Sequence, residues 1–190
     1  MIATAELPTI AASRVSLRWL RERDVPALFS IFSHPEVMRY WSSPPYPDVA
    51  AARQLLEKIH ACFAQKSLFQ WGLVRNVEGD LIGTCTLSHL DVQNRRAEVG
   101  YALGRAHWGH GYVQEGVRAL LAFAFDTLDL HRIEADVDPR NGPSVRVLER
   151  LGFSKEGYLR DRWIVNGEVS DSALYGLLRR EWSGGGAGAG

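Results

Sequence analysis

The segment from Arg95 to Asp138 constrains the fold of this chain more than any other. It leads from an extended run, Arg95–Leu103, through the loop His107-Trp-Gly-His-Gly-Tyr-Val113 and a helix into a second extended run, His131–Asp138. The helix is read from apolar residues at helical spacing, Val113, Val117, Leu120, Leu121, Ala124 and Leu128, which place its start close to Gly111. The run that follows alternates Ile133, Ala135 and Val137 with Glu134, Asp136 and Asp138, as a strand does. Strand, long helix and strand in that order predict a βαβ unit, with parallel strands and a right-handed crossover.

The rest of the chain extends this into an α/β fold. Arg14–Leu20 reads as a strand, and Asp24 with Pro26 opens a short helix that ends near His34-Pro35. Residues 36–47, rich in aromatics and proline, form an irregular connection that either lines a pocket or covers core. Asp48 caps a helix to about Gln65, and Leu68–Arg75 and Leu81–Leu90 form a hairpin around Asn76–Asp80. After the βαβ unit, Asn141–Ser144 begins a helix with Val145, Leu148 and Leu151 inward and Gly152 as its stop. Two strands, Phe153–Val165 and Glu168–Leu178, turn at Asn166-Gly167. The expectation is one α/β unit over residues 14–182, a mixed sheet of about seven strands and four helices. An N-terminal extension, 1–13, and a flexible Gly/Ala tail, 183–190, lie outside it.

Composition narrows the function. Twenty-two residues of each sign cancel, so no basic field points to nucleic acid, and phosphate recognition has to be local. No run of about 18 apolar residues and no signal-peptide layout is present, which makes a cytoplasmic protein with no membrane partner the default expectation. Cys62 and Cys85 have no motif spacing and are expected to be buried free thiols.

Two glycines at the start of a long helix leave several N–H groups, and the positive end of the helix dipole, directed at one spot. Such a spot binds anions. A dinucleotide fingerprint would need glycine where Gln114 stands, and a nucleotide P-loop would need Gly-Lys-Ser/Thr, so both are excluded. A plain loop-to-helix turn remains the alternative. His107 and His110 lack the companion ligands of a metal site, and no metal is expected.

Glu98-Val-Gly-Tyr-Ala-Leu103, Trp108-Gly-His-Gly-Tyr112, Glu115, Arg132-Ile-Glu-Ala135, Asn141-x-x-Ser144 and Leu148-Glu-Arg-Leu-Gly-Phe153 together resemble the GNAT superfamily of acyl-CoA N-acyltransferases, and more narrowly its RimJ/RimL-like branch. The resemblance implies a splayed, mixed GNAT-like sheet holding acetyl-CoA as cosubstrate between the fourth and fifth strands. It implies that Tyr101, Ala102 and Leu103 pair with the pantetheine arm, and that the N–H groups of Trp108, Gly109, His110, Gly111, Tyr112 and Val113 take the pyrophosphate. It also implies direct transfer of the acetyl group to an amine-bearing acceptor, and a homodimer through the last strands. The chain departs from the family pattern at Ala106, where Arg or Gln is common, and at Leu148, where a tyrosine acid is common. Ser144 stands where the RimJ/RimL-like branch has its serine, while the carboxylate base of that branch falls on Trp163.

These residues divide into roles. Ser144 is the candidate donor to the leaving thiolate, or a first-turn serine serving the backbone. Asn141 either caps its helix or binds the pantetheine amide. Glu98, on the face of its strand opposite Tyr101, is a candidate proton acceptor or a structural ion pair. Glu134, Asp136 and Asp138 hold a cationic acceptor or simply form a solvated face. Trp41, Trp71 and Tyr46 are candidate acceptor contacts or core. Deprotonation at pH 7 costs about 1.4 kcal/mol for an α-amine and about 4.6 kcal/mol for lysine. A site without a strong base therefore favours a peptide N-terminal amine. A small-molecule amine acetyltransferase, acting on an aminoglycoside, polyamine or amino acid, and a non-catalytic acyl-CoA-binding module are the alternatives.

Overall fold

The structure is a computed structural model and describes residues 4–183. The Gly/Ala tail from residue 184 onward lies outside the described residues. One eight-stranded sheet runs in the order β1-β2-β3-β4-β5-β6-β8-β7, with β1 Ile10–Ala11, β2 Val15–Arg18, β3 Leu68–Arg75, β4 Leu81–Asp91, β5 Arg96–Leu103, β6 Arg132–Val137, β7 Ser154–Val165 and β8 Glu168–Leu178. Among the described residues five α-helices accompany it: α1 Val25–Phe32, α2 Pro35–Met38, α3 Val49–Ala64, α4 Tyr112–Asp126 and α5 Gly142–Arg150. Every neighbouring pair is antiparallel except β5–β6, the parallel pair of the βαβ unit.

The extra strand and helix over the expected numbers have simple causes. Ile10–Ala11, assigned by sequence to the extension, pair with β2, and Leu7 beside them is buried. Two residues are too few for alternation to be visible. In the irregular connection, Pro35–Met38 closes one helical turn because His34 accepts the Glu36 N–H and Pro35 starts it. Elsewhere local signals hold: Asp48 caps α3 by accepting the Ala51 N–H at 2.9 Å, and Asn166 and Gly167 both take positive φ in the β7–β8 turn.

The sheet buries an apolar cluster on each face. One side gathers Val117, Leu120, Leu121 and Phe125 of α4 and Leu148 of α5 over Leu73, Cys85, Val99 and Ile133. The other gathers Leu28, Ile31 and Phe32 of α1 and Leu56 and Ile59 of α3 over Val74, Leu81 and Ala102. Of the acceptor candidates, Trp71 is core, and Trp41 and Tyr46 are half-buried against the core. Trp71 is fully buried with its Nε1–H donated to the Pro8 carbonyl at 2.9 Å, while Trp41 and Tyr46 pack on Phe32. Cys85 is buried and its thiol is pushed up to about 12 by that burial, whereas Cys62, on the outer part of α3, is only half-buried, contrary to expectation.

What matters most for the site is where β5 and β6 part. They pair only through Arg96–Arg132, Ala97–Ile133 and Glu98–Glu134, and beyond that point Val99–Leu103 and Ala135–Val137 do not pair with each other. The expected gap between the fourth and fifth strands is this wedge, shifted by one in the count because of β1.

Candidate acetyl-transfer site

The wedge opens beside the start of α4. Gly109 and Gly111 have φ of 82° and 78°, a left-handed conformation that a side chain would strain. Between Trp108 and α4 the chain therefore turns tightly. Among the described residues, the N–H groups of Gly109, His110, Gly111, Tyr112, Val113 and Gln114 have no acceptor within the protein, whereas the Trp108 N–H, expected among the donors, is taken by the Arg105 carbonyl at 3.4 Å. Six consecutive unpartnered donors at a helix start form a cradle for a multiply charged anion. His107 precedes them with its ring held below its usual pKa by burial and by nearby Arg75, so it is a neutral neighbour at pH 7.

Along β5 the backbone direction alternates. Gly104 donates its N–H to Ile82 on β4, so Leu103 and Tyr101 turn their backbone groups the other way, into the wedge. Ala102 faces β4 instead, with its methyl in the α1-side core. Of the three residues expected to pair with an added extended ligand, Tyr101 and Leu103 therefore present backbone groups to it and Ala102 does not. The Leu103 carbonyl also accepts the Trp108 Nε1–H at 2.8 Å, which fixes the indole against the strand end.

A hydroxyl pair crosses the wedge. The Tyr101 hydroxyl lies 2.7 Å from Ser144 Oγ and 3.2 Å from the Ser144 carbonyl oxygen. Ser144 is held in the first turn of α5 because Asn141 caps that helix, its Oδ1 accepting the Ser144 N–H at 3.3 Å. The capping reading of Asn141 is thus realised, and the serine hydroxyl is left for Tyr101. Burial pushes the tyrosine up to about 12, the serine bond opposing it, so Tyr101 stays protonated and able to donate at neutral pH. The sequence points to Tyr101 only through its backbone; the contact of its hydroxyl with Ser144 exists only with α5 in place.

The other face of β5 carries Glu98, as alternation predicts. Burial raises its carboxyl above the usual range; His89 opposes the shift and Asp136 and Glu134 add to it. His89 Nδ1 lies 3.4 Å from Glu98 Oε2. Glu134, Asp136 and Asp138 do not act as a set. Glu134 is paired with Arg132 at 2.7 Å and Arg96 at 3.2 Å, and Asp138 with Arg140 at 2.6 Å. Asp136 has no ion-pair or hydrogen-bond partner among the described residues. Next to Glu98, Gly100 has open space above it, the nearest atom to an added Cβ being Thr86 Cβ at 4.0 Å. Trp163, at the position of the missing carboxylate, lies on the edge strand β7 and donates its Nε1–H to Ser172 Oγ at 3.1 Å. Arg39 and Arg140 both pair with Glu168, at 3.0 and 2.8 Å, tying the segment after α2 to the β7–β8 turn and the end of β6.

A parted parallel pair with an anion cradle at one end, and hydroxyls and carboxylates on its two faces, makes this wedge the candidate site of acyl transfer. Residues 14–154 match the model of the acetyltransferase (GNAT) domain, and the chain belongs to that family. It is 37% identical over 178 residues, 94% of this chain and all of the relative, to the uncharacterized N-acetyltransferase p20 of Bacillus licheniformis. It is 30% identical over 92% of each chain to the [ribosomal protein uS5]-alanine N-acetyltransferase of Escherichia coli. Its fold is shared with the crystal structure of spermidine N-acetyltransferase from Vibrio cholerae in complex with CoA and spermine, at a TM-score of 0.79 and 24% identity, covering 88% of this chain and 97% of that one. The chain is an N-acetyltransferase, and acetyltransferases of this family use acetyl-CoA. Among the described residues there is no group of three or more His, Cys, Asp or Glu that could hold a metal ion, and no helix long and apolar enough to cross a membrane.

Proposed function

We propose that this chain transfers the acetyl group of acetyl-CoA directly to an N-terminal α-amine of a protein or peptide. The carrying observation is the wedge, with donors on one face, Tyr101 and Ser144, and a half-buried carboxylate on the other, Glu98. Acetyl-CoA supplies an acetyl group activated as a thioester. The residues of the loop, Gly109 to Gln114, hold its diphosphate, and the wedge-facing backbone of Tyr101 and Leu103 lines up the pantetheine arm. The Ser144 hydroxyl, itself accepting from Tyr101, donates to the sulfur as negative charge develops there. Glu98 takes the proton from the amine and passes it towards His89 and water.

A carboxylate raised by burial is still a modest base, and an α-amine loses its proton far more readily than lysine. That favours an N-terminal acceptor, in keeping with the name of the E. coli relative. A second reading, a polyamine acceptor, is favoured by Asp136, which adds an unpaired carboxylate close to Glu98, and by the spermine-bound fold relative. Thiol release from acetyl-CoA, measured over a panel of peptides with free N-termini, the same peptides with only a lysine amine, and polyamines, tests the proposal. Turnover confined to free N-termini supports it, and turnover confined to polyamines or lysine overturns it.

A further inference from the structure

One arginine far from the loop in sequence grips it from behind. Arg14 lies immediately before β2, yet its Nη1–H donates to the His110 carbonyl at 3.0 Å and its Nε–H to Glu115 Oε2 at 2.7 Å. Its backbone N–H donates to the other oxygen, Glu115 Oε1, at 2.5 Å. The guanidinium lies over the Tyr112 ring, 5.2 Å from its centre, and a Cβ added to Gly111 would sit 3.5 Å from Nη2.

In a trans peptide the C=O and N–H point in opposite directions, and there is no cis peptide bond among the described residues. A His110 carbonyl held on Arg14 therefore turns the Gly111 N–H away from Arg14. The same carbonyl is the ordinary α-helical acceptor for the Gln114 N–H, four residues on. That bond is not made, and the Gln114 N–H stays available. Glu115, in the first turn of α4, would repel an anion if left alone. Burial pushes its carboxyl up, but the Arg14 N–H and guanidinium outweigh this and hold it below the usual range, as one half of an ion pair.

We propose that Arg14 is a positioning residue for the diphosphate loop: it aims the Gly111 N–H, keeps the Gln114 N–H free and neutralises Glu115. This rests on the assignment of the loop to coenzyme A. Arginine is needed because a fork can hold a carbonyl and a carboxylate together, which a lysine ammonium on a flexible stem does poorly. No signal in the sequence links Arg14 to the loop, since β2 and α4 meet only across the folded sheet.

The test uses the full chain and the variants Arg14→Ala and Arg14→Lys, with thermal unfolding to verify that each is folded. Two quantities are read: the dissociation constant of coenzyme A by calorimetry, and the ratio of kcat/KM for acetyl-CoA to kcat/KM for acetyl-pantetheine, which lacks the diphosphate. Loss of directed, charge-assisted N–H bonds predicts a dissociation constant raised roughly tenfold or more in Arg14→Ala, with a similar fall in the donor ratio. Arg14→Lys recovers little of either. An unchanged coenzyme A affinity, an equal loss with both donors, or full rescue by lysine overturns the proposal. Wild-type protein that fails to bind coenzyme A would instead refute the loop assignment, before any variant is compared.

Discussion

Replacing Ser144 by alanine removes one hydroxyl from the wedge and leaves its supports standing. The Asn141 cap acts on the residue-144 N–H, and Tyr101 keeps the residue-144 carbonyl, 3.2 Å away, as an acceptor, so no buried donor is stranded. The fold should therefore be little affected. A hydrogen bond to a developing thiolate is of the charged kind, worth about 1.5–3 kcal/mol, which predicts a fall in kcat of roughly 10- to 150-fold. Coenzyme A affinity should change little, because the group acts on charge that appears only during transfer. Tyr101→Phe removes a neutral partner of Ser144 at 2.7 Å, worth about 0.5–1.5 kcal/mol, or roughly 2- to 12-fold. The double variant separates a chain from two independent groups. If Tyr101 works through Ser144, its removal costs nothing further once the serine is gone. Stopped-flow or continuous thiol-release assays at saturating acetyl-CoA measure all four proteins. A turnover number unchanged in Ser144→Ala removes the serine from the mechanism, and fully additive losses break the proposed chain.

Three further outcomes follow from the geometry. Glu98→Gln should lower kcat at least tenfold and abolish the acid limb of the pH–rate profile; in wild type that limb lies above the ordinary carboxylate value because burial favours the protonated form, and a limb at or below about pH 4.3 would exclude Glu98 as the base. Gly100→Leu fills the open floor beside Glu98 without a positive-φ penalty, so acceptor KM should rise while coenzyme A affinity stays put; equal loss of both would mean that the acceptor does not lie there. Asp24→Asn breaks a buried fork with Arg18, both contacts 2.7 Å, and should cost about 3 kcal/mol in denaturant unfolding at pH 7. Burial alone would raise the Asp24 carboxyl, but Arg18 and the Arg21 N–H outweigh it and hold it low, so its stabilisation is present above the unfolded value, about 3.9, and vanishes as pH falls through the lower folded value. A gap between variant and wild type that is as wide at pH 2 as at pH 7 would contradict this.

Much of the fold was legible because its signals are local. The β3 bounds, Leu68–Arg75, follow from residues of one short segment, and the α3 cap, the Asn166-Gly167 turn and the Gly152 stop are each decided within a few residues. The family, too, could be recognised from residues 96–157. Where the sequence leaves alternatives open, the deciding partner is distant. Trp71 is core because Pro8 and the α4 face enclose it, and β1 exists only because β2 offers an edge. Glu134 and Asp138 look equivalent to Asp136 along β6, yet arginines from β5, β6 and the following loop claim two of the three.

The glycines, the helix start and the hydroxyl of Ser144 were thus written in the sequence, since backbone conformation and chemical type are properties of single residues and their neighbours. The wedge was not. Three paired residues followed by separation of β5 from β6, the Tyr101 hydroxyl brought to Ser144, and Arg14 placed behind Gly111 all depend on packing between residues 36 to 96 positions apart. Such contacts arise from burying apolar faces on both sides of the sheet, and hydrophobic burial, being non-directional, leaves no local mark of which polar groups it will bring together.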